Sequence, residues 1–160
     1  RDEALRTASL ITGSRADGED VVQEAFVQCY QRIGQLRDRS KFKAWLFTLL
    51  TRAAWKYCRK RGREEPVSEF FDDAEKADES ALGAVLRTEQ SRELFAAVQA
   101  LDDKQRTVVV LYYYNDMPVR DIAHVLGCRE GTVKSRLFSA RRNLQKAMGQ
   151  KNDEWEGVRI

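Results

Sequence analysis

The chain has 160 residues, the length of one ordinary domain or two small ones. Hydrophobic residues make up 42% and charged residues 33%, with only 9 Gly and 2 Pro, which fits helices with solvated faces and excludes a disordered chain, a collagen-like repeat or a turn-rich β-sandwich. A net charge of +3 is too small to argue for nucleic acid by itself.

In chain order, residues 2–12 carry the pattern of a first helix, expected to be incomplete in a chain that opens on Arg1 rather than Met. In 20–33, Val21, Val22, Ala25, Phe26, Cys29, Tyr30 and Ile33 recur at helical spacing and are expected to face a core, leaving Asp20, Gln23, Glu24 and Gln31 on the other side. Between 42 and 57 the apolar stripe is Phe42, Trp45, Leu46, Leu49, Leu50, Ala53 and Tyr57. The opposite face holds Thr48, Thr51, Trp55 and Arg59, with Arg52 at its edge and Lys60 and Arg61 following. An exposed Trp among cations is unfavourable unless something covers it. Two readings stand side by side. Either the bases of a single nucleic-acid strand stack on Trp55 while the cations hold phosphates, or Trp55 packs against the first helix.

Charge then changes sign. Residues 1–61 carry 13 Lys/Arg against 7 Asp/Glu, whereas 62–80 carry 2 against 8 and open with Gly62 and Pro66. That segment reads as a linker between two modules. Beyond it, Leu86 to Leu101 and Lys104 to Tyr114 are expected helices. The second contains VVVLYYY, which propensity alone would make a strand; the neighbouring pattern keeps it helical. From Pro118 on, a helix-turn-helix is expected. Pro118 suits a first helical turn. Val119, Ile122, Ala123 and Leu126 then form one short apolar face, and Gly127 stands where a left-handed residue must end the helix. The second helix, roughly 130–148, is expected to bury Val133, Leu137, Ala140, Leu144 and Met148. Its other face shows Ser135, Phe138, Ser139, Arg142 and Lys146, flanked by Lys134 and Arg136. Within 118–148 Lys/Arg outnumber Asp/Glu by 7 to 2. Such a helix lies in the major groove, where hydroxyls and Lys read base edges and an exposed Phe meets a thymine methyl. The plain alternative is a helical hairpin with a solvated basic face.

Little in the chain suits catalysis. Cys29, Cys58 and Cys128 are widely spaced and odd in number, and His124 is the only histidine. Neither a disulfide framework, a zinc site, a metal nor a cofactor is expected, and an enzyme is not expected. No apolar run approaches the ~20 residues that span a bilayer and no signal-peptide pattern opens the chain, so a cytoplasmic protein without membrane insertion is expected.

DVVQEAF (20–26), FKAWLFTLLTRAAW (42–55) and GTVKSRLFSARRNL (131–144) resemble a group IV, extracytoplasmic-function (ECF) sigma factor of the bacterial sigma-70 family. The resemblance runs over residues 1–148. It implies an all-α fold of two small helical domains: sigma region 2 over 1–61, an acidic linker over 62–83, sigma region 4 over 84–148, and a tail over 149–160. It implies that region 2 binds the clamp helices of the polymerase β′ subunit and opens and reads the −10 element. Region 4 would read the −35 element and touch the β-flap. The resemblance also implies an anti-sigma factor as a partner.

Position by position, Asp20, Gln23, Glu24 and Phe26 match the polymerase-binding motif, Phe26 lying on the expected buried stripe. Gln35, Arg37, Asp38, Arg39, Ser40 and Lys41 match the loop that captures an extruded −10 base, with Arg52, Trp55 and Arg59 completing that surface. Thr132, Lys134, Ser135, Phe138 and Ser139 match the −35-reading face, with Arg136, Arg141, Arg142 and Lys146 on phosphate. Many members of the family have Arg at the place of Ser139, and an Arg-Asn pair at the place of Thr51-Arg52.

On this reading the protein is a specificity subunit, and polymerase supplies the chemistry. Nineteen linker residues (62–80) span at most about 60–70 Å, close to two DNA turns of roughly 34–36 Å each. Tethering lets two weak readers act as one good one. The acidic linker either occupies a basic channel of polymerase, as the resemblance implies, or is a solubilising tether. The alternative function is a two-domain helix-turn-helix regulator working without polymerase, which has no use for the polar face of DVVQEAF. A helical adaptor without nucleic acid leaves the clustered cations and Phe138 unexplained.

Overall fold

The computed structural model describes residues 1–62 and 89–149, and every element among them is a helix. Apart from Gly62, the linker expected over 62–83 lies outside the described residues. So does the tail after Gly149. Three helices come first: α1 (Asp2–Thr12), α2 (Arg15–Arg32) and α3 (Phe42–Arg61). Two short 3-10 turns, Ile33–Gln35 and Arg39–Lys41, bridge α2 and α3. Four helices follow: α4 (Glu89–Gln99), α5 (Asp103–Val109), α6 (Val119–Leu126) and α7 (Glu130–Ala147).

The N-terminal bundle is α1, α2 and α3 packed pairwise on one another. Ser14 caps α2 by accepting the Asp17 N–H at 3.2 Å, as an N-cap serine should. One face of α2 is buried through Gly18, Val21, Val22, Ala25 and Cys29. Gly18 is required by close approach, since a Cβ there would lie 2.9 Å from the Ser9 nitrogen and would also strike the Ser9 hydroxyl. Those are backbone and side-chain atoms of α1, so relief means prising the two helices apart. Gly18→Ala is therefore expected to cost about 1–3 kcal/mol, read as a fall of several degrees in Tm. An unchanged melting curve would mean that α1 yields at no cost.

The C-terminal helices pack around α7, which touches α4, α5 and α6. Asp102 caps α5, its carboxylate accepting the Lys104 and Gln105 N–H groups at 2.9 and 2.8 Å. The VVVLYYY run is helical, as the neighbouring pattern required, but it widens. After Val109 the chain continues as a π turn over Val110–Tyr114, closed by the Asn115 N–H on the Val110 carbonyl at 3.2 Å. Six consecutive residues, Arg106 to Leu111, are buried. A helix apolar all round is one that is covered on all sides. Here α7 lies on one side, and α1 and α3 of the N-terminal bundle on another. That double burial explains why the run lacks the one-sided periodicity of a surface helix.

The turn between α6 and α7 follows the expected geometry, with one shift. Pro118 stands at the N-cap, one place before α6 begins. Gly127 is left-handed at φ 63°, and the Cys128 N–H reaches back to the Ala123 carbonyl at 3.0 Å. This pairing satisfies carbonyls that the end of α6 would otherwise leave open. Val133, Leu137, Ala140 and Leu144 of α7 are buried as their spacing required.

Candidate functional site

Three exposed surfaces carry the residues singled out by sequence. The first is on α2. Asp20 and Gln23 are exposed and Glu24 is half-buried, its carboxylate paired with Lys56 of α3 at 3.1 Å. Tyr57 lies beside them: burial first, then the Asp20 and Glu24 carboxylates, pushes its phenol pKa up. The expected buried stripe of α2 needs correcting here. Cys29 is buried, but Phe26, Tyr30 and Ile33 are not; Tyr30 is 85% exposed. With Val27 they form a second, outward apolar strip next to the polar one. The signal was present in the sequence as width. Apolar residues at 21, 22, 25, 26, 29, 30 and 33 cover more of the helix than the roughly 100° that one packed face needs.

The second surface is the loop before α3 together with α3 itself. Gln35, Arg37, Asp38, Arg39, Ser40 and Lys41 are all exposed. Asp38 is engaged within the loop, accepting the Ser40 hydroxyl at 2.6 Å and the Ser40 N–H at 3.0 Å. Those two bonds, the hydroxyl first, hold its carboxyl below the usual carboxylate range. Asp38 thereby builds the turn on which Arg37, Arg39 and Lys41 stand. On α3, Arg52 and Arg59 are exposed, but the face expected to be open is largely closed. Thr51 is buried, and Trp55 is half-buried with its indole N–H donated to the Thr107 hydroxyl of α5 at 2.8 Å. What covers Trp55 is the C-terminal half of the molecule, which neither reading from the sequence foresaw.

The third surface is α7. Lys134, Ser135, Phe138, Ser139, Arg142 and Lys146 are exposed, and Thr132 and Arg136 are half-buried. Phe138 is 60% exposed, with the Arg142 guanidinium stacked over its ring at 5.9 Å. Arg141 departs from its neighbours. It turns inward, donating to the Tyr113 hydroxyl at 2.6 Å and lying over that ring, with one terminal nitrogen buried and unpaired. Arg141 thus ties α7 to the π turn and does not stand on the outer face with Arg142.

Two family models match the chain. Residues 1–64 match "Sigma-70 region 2" and residues 91–144 match "Sigma-70, region 4". The RNA polymerase sigma-H factor of Pseudomonas aeruginosa is 36% identical over 82% of this chain and 73% of its own length. The ECF RNA polymerase sigma-E factor of Haemophilus influenzae is 31% identical, covering 88% of this chain and 80% of its own. The chain belongs to the ECF sigma factors of the sigma-70 family. Its fold is also that of the sigma factor RpoE of Bartonella quintana, solved in complex with the anti-sigma factor NepR, with a TM-score of 0.69, 24% identity, and 93% and 91% of the two chains covered. As a sigma factor it binds core RNA polymerase and directs promoter-specific initiation. The match to region 2 sets aside a free-standing helix-turn-helix regulator. Among the described residues, no helix is long and apolar enough to cross a membrane.

Proposed function

We propose that this ECF sigma factor divides its work among the three surfaces, each doing what its side chains allow. The strip on α2, with Asp20, Gln23, Glu24 and Phe26 extended by Val27 and Tyr30, takes the β′ clamp helices of core polymerase. An apolar patch rimmed by carboxylates suits a basic, amphipathic helical partner. The loop cations Arg37, Arg39 and Lys41, with Arg52, Trp55 and Arg59 of α3, take the −10 strand: phosphates on the cations, a base on the indole. Gln35 and Ser40 offer hydrogen bonds to an extruded base, and Asp38 shapes the loop. Helix α7 lies in the major groove of the −35 element with Thr132, Lys134, Ser135, Phe138 and Ser139 toward base edges, and Arg136, Arg142 and Lys146 toward phosphate.

The observation that carries this reading is α7 itself. Its apolar side is sealed into the C-terminal helices while Phe138 stands 60% exposed among cations on the other side. An exposed aromatic set among cations on the side turned away from the core suits contact with a thymine methyl while the cations meet phosphate. The domain division follows: 1–61 for polymerase and −10, 62–83 as linker, 84–148 for −35 and the β-flap, and 149–160 as a tail. The protein works in the cytoplasm as a specificity subunit, polymerase holding the catalytic centre, and an anti-sigma factor restrains it. Run-off transcription with purified core polymerase over a promoter library tests the assignment. Transcripts should start only where two short elements lie about two helical turns apart. Starts at unrelated sequences with and without the protein would overturn it.

Trp55 gives a narrower check. Trp55→Ala should slow promoter opening more than initial duplex binding, because a stacked base is worth about 1–3 kcal/mol. Trp55→Phe keeps an aromatic face, smaller than the indole, and loses the bond to Thr107, so it should open promoters closer to normally than Trp55→Ala. Permanganate reactivity of thymines in the −10 region reads both variants. Equal reactivity in wild type and Trp55→Ala would place Trp55 purely in packing.

A further inference from the structure

We propose that Gly131 is a contact residue for the promoter duplex, its bare Cα letting the first turn of α7 seat against the floor of the −35 major groove. The proposal rests on the assignment of α7 to that groove.

Seven glycines lie among the described residues, and the fold accounts for most of them. Gly13, Gly127 and Gly149 have positive φ, at 74°, 63° and 61°. Gly18 admits the close approach of α1, and Gly62 closes α3, where a Cβ would lie 3.4 Å from the Cys58 carbonyl. Gly34 and Gly131 are left. Around either, a Cβ would meet nothing within 4 Å, and neither has a positive φ. Gly34 stands in the 3-10 turn Ile33–Gln35, where glycine is ordinary. Gly131 is inside a helix. The Arg129 carbonyl accepts the Thr132 and Val133 N–H groups at 2.9 and 3.3 Å, closing the first turn of α7 across it. A glycine in that setting is less favourable than alanine, because it gives up more backbone freedom on folding. The fold by itself would be served better by a side chain.

The place of Gly131 on the helix supplies the reason for it. Residues three and four apart share a face, so Gly131 heads the outward row that continues through Ser135, Phe138 and Arg142, all of them exposed. Side chains in that row lengthen away from the start of the helix. They run from none at Gly131 to the Arg142 guanidinium, which reaches back over the Phe138 ring at 5.9 Å. A row of this shape fits a helix that meets its target at a slant, its first turn closest and its long side chains spanning a widening gap. The major groove is such a target. It is about 12 Å wide, and a helix with its side chains measures about 10–12 Å across, so little room is left at the deepest point. A Cβ at Gly131 would stand about 1.5 Å beyond the Cα. It would hold the first turn off the base edges that Ser135 and Phe138 are to reach.

The test uses holoenzyme assembled from the full-length chain and core polymerase. The probe is a duplex promoter taken from the run-off selection, kept at low temperature so that its strands stay paired. Gly131→Ala should melt at the wild-type temperature or a few degrees above it, since alanine restricts the unfolded chain and meets no clash. It should nevertheless bind the promoter about tenfold more weakly, the worth of one good base contact. Gly131→Leu should bind more weakly still. A stabilised protein that has lost its promoter is the signature of a glycine kept for the ligand. Phe138→Ala, measured alongside, reads the groove assignment separately. Wild-type affinity in Gly131→Ala together with weakened or altered binding by Phe138→Ala would overturn the contact and leave the groove assignment standing. A lower melting temperature in Gly131→Ala would overturn the premise that the fold does not need this glycine. If both alanine variants bound and selected promoters as wild type does, the groove assignment would fail and the contact with it.

Discussion

Tyr30→Ala is expected to strip the protein from core RNA polymerase, and Asp20→Lys to weaken it nearly as much. Tyr30 is 85% exposed, so the folded monomer gains nothing from burying its ring. An aromatic of this kind at the centre of an interface is where truncation commonly costs 2 kcal/mol or more, about thirtyfold in affinity. Asp20 is exposed on the polar strip of the same helix, and reversing it would set like charges against the basic partner surface proposed above. Glu24→Lys should do less to the partner than Asp20→Lys, and it also loses the internal pair with Lys56 at 3.1 Å. Neither Tyr30→Ala nor Asp20→Lys touches a buried side chain, so their stability should stay within about 0.5 kcal/mol of wild type. Retention of core polymerase on immobilised protein, with circular dichroism as a control, reads the result. Undiminished retention by both variants would remove α2 from the polymerase interface.

The second large effect is on promoter choice. Lys134, Ser135 and Phe138 lie toward the N-terminal end of α7, the end proposed to enter the groove, and their loss should change which −35 sequence is preferred. A lost base contact costs about 1–3 kcal/mol of discrimination at one position. Lys146 lies further along, where the helix is proposed to leave the groove. Its loss should weaken binding to all sequences and flatten the salt dependence by about one unit of slope. Arg142 should behave like Lys146, with one complication from its position 5.9 Å over the Phe138 ring. Phe138→Ala and Arg142→Ala share a contact, so their effects should not add. Arg141→Ala should instead lower stability, because Arg141 is bonded to Tyr113 at 2.6 Å and faces inward. Site selection with each alanine variant at two salt concentrations separates these classes. If Phe138→Ala and Lys134→Ala kept the wild-type preference and only bound more weakly, α7 would not lie in the groove as assigned.

The sequence by itself determined the helices and, on α7, which face is left exposed. Gly127 had to turn the chain because its position demands a left-handed residue, and Val133, Leu137, Ala140 and Leu144 had to point inward because they repeat at helical spacing. With one side of α7 thus committed, the exposure of Lys134, Ser135, Phe138, Ser139, Arg142 and Lys146 was legible without coordinates, whereas the inward turn of Arg141 was not. The same logic failed wherever a helix has more than one packed side or an apolar side left open. On α2 the periodicity could not say which of two adjacent apolar strips meets the core; α1 passes over Gly18, Ala25 is buried, and Tyr30 is left outside. On α3 the face through Thr51 and Trp55 reads as either open to a nucleic-acid strand or packed on the first helix, yet α5 and α6 lie against α3 and Trp55 bonds to Thr107. Arg106 looks like a surface cation in DDKQRTVVV, and only the open carbonyl of Ile11, nearly a hundred positions earlier in the chain, makes a buried place for it. A periodic pattern records how much apolar surface a helix carries. Which groups are covered, and by what, is set by unpaired carbonyls and hydroxyls that meet only when distant segments pack, and no local rule reports those encounters.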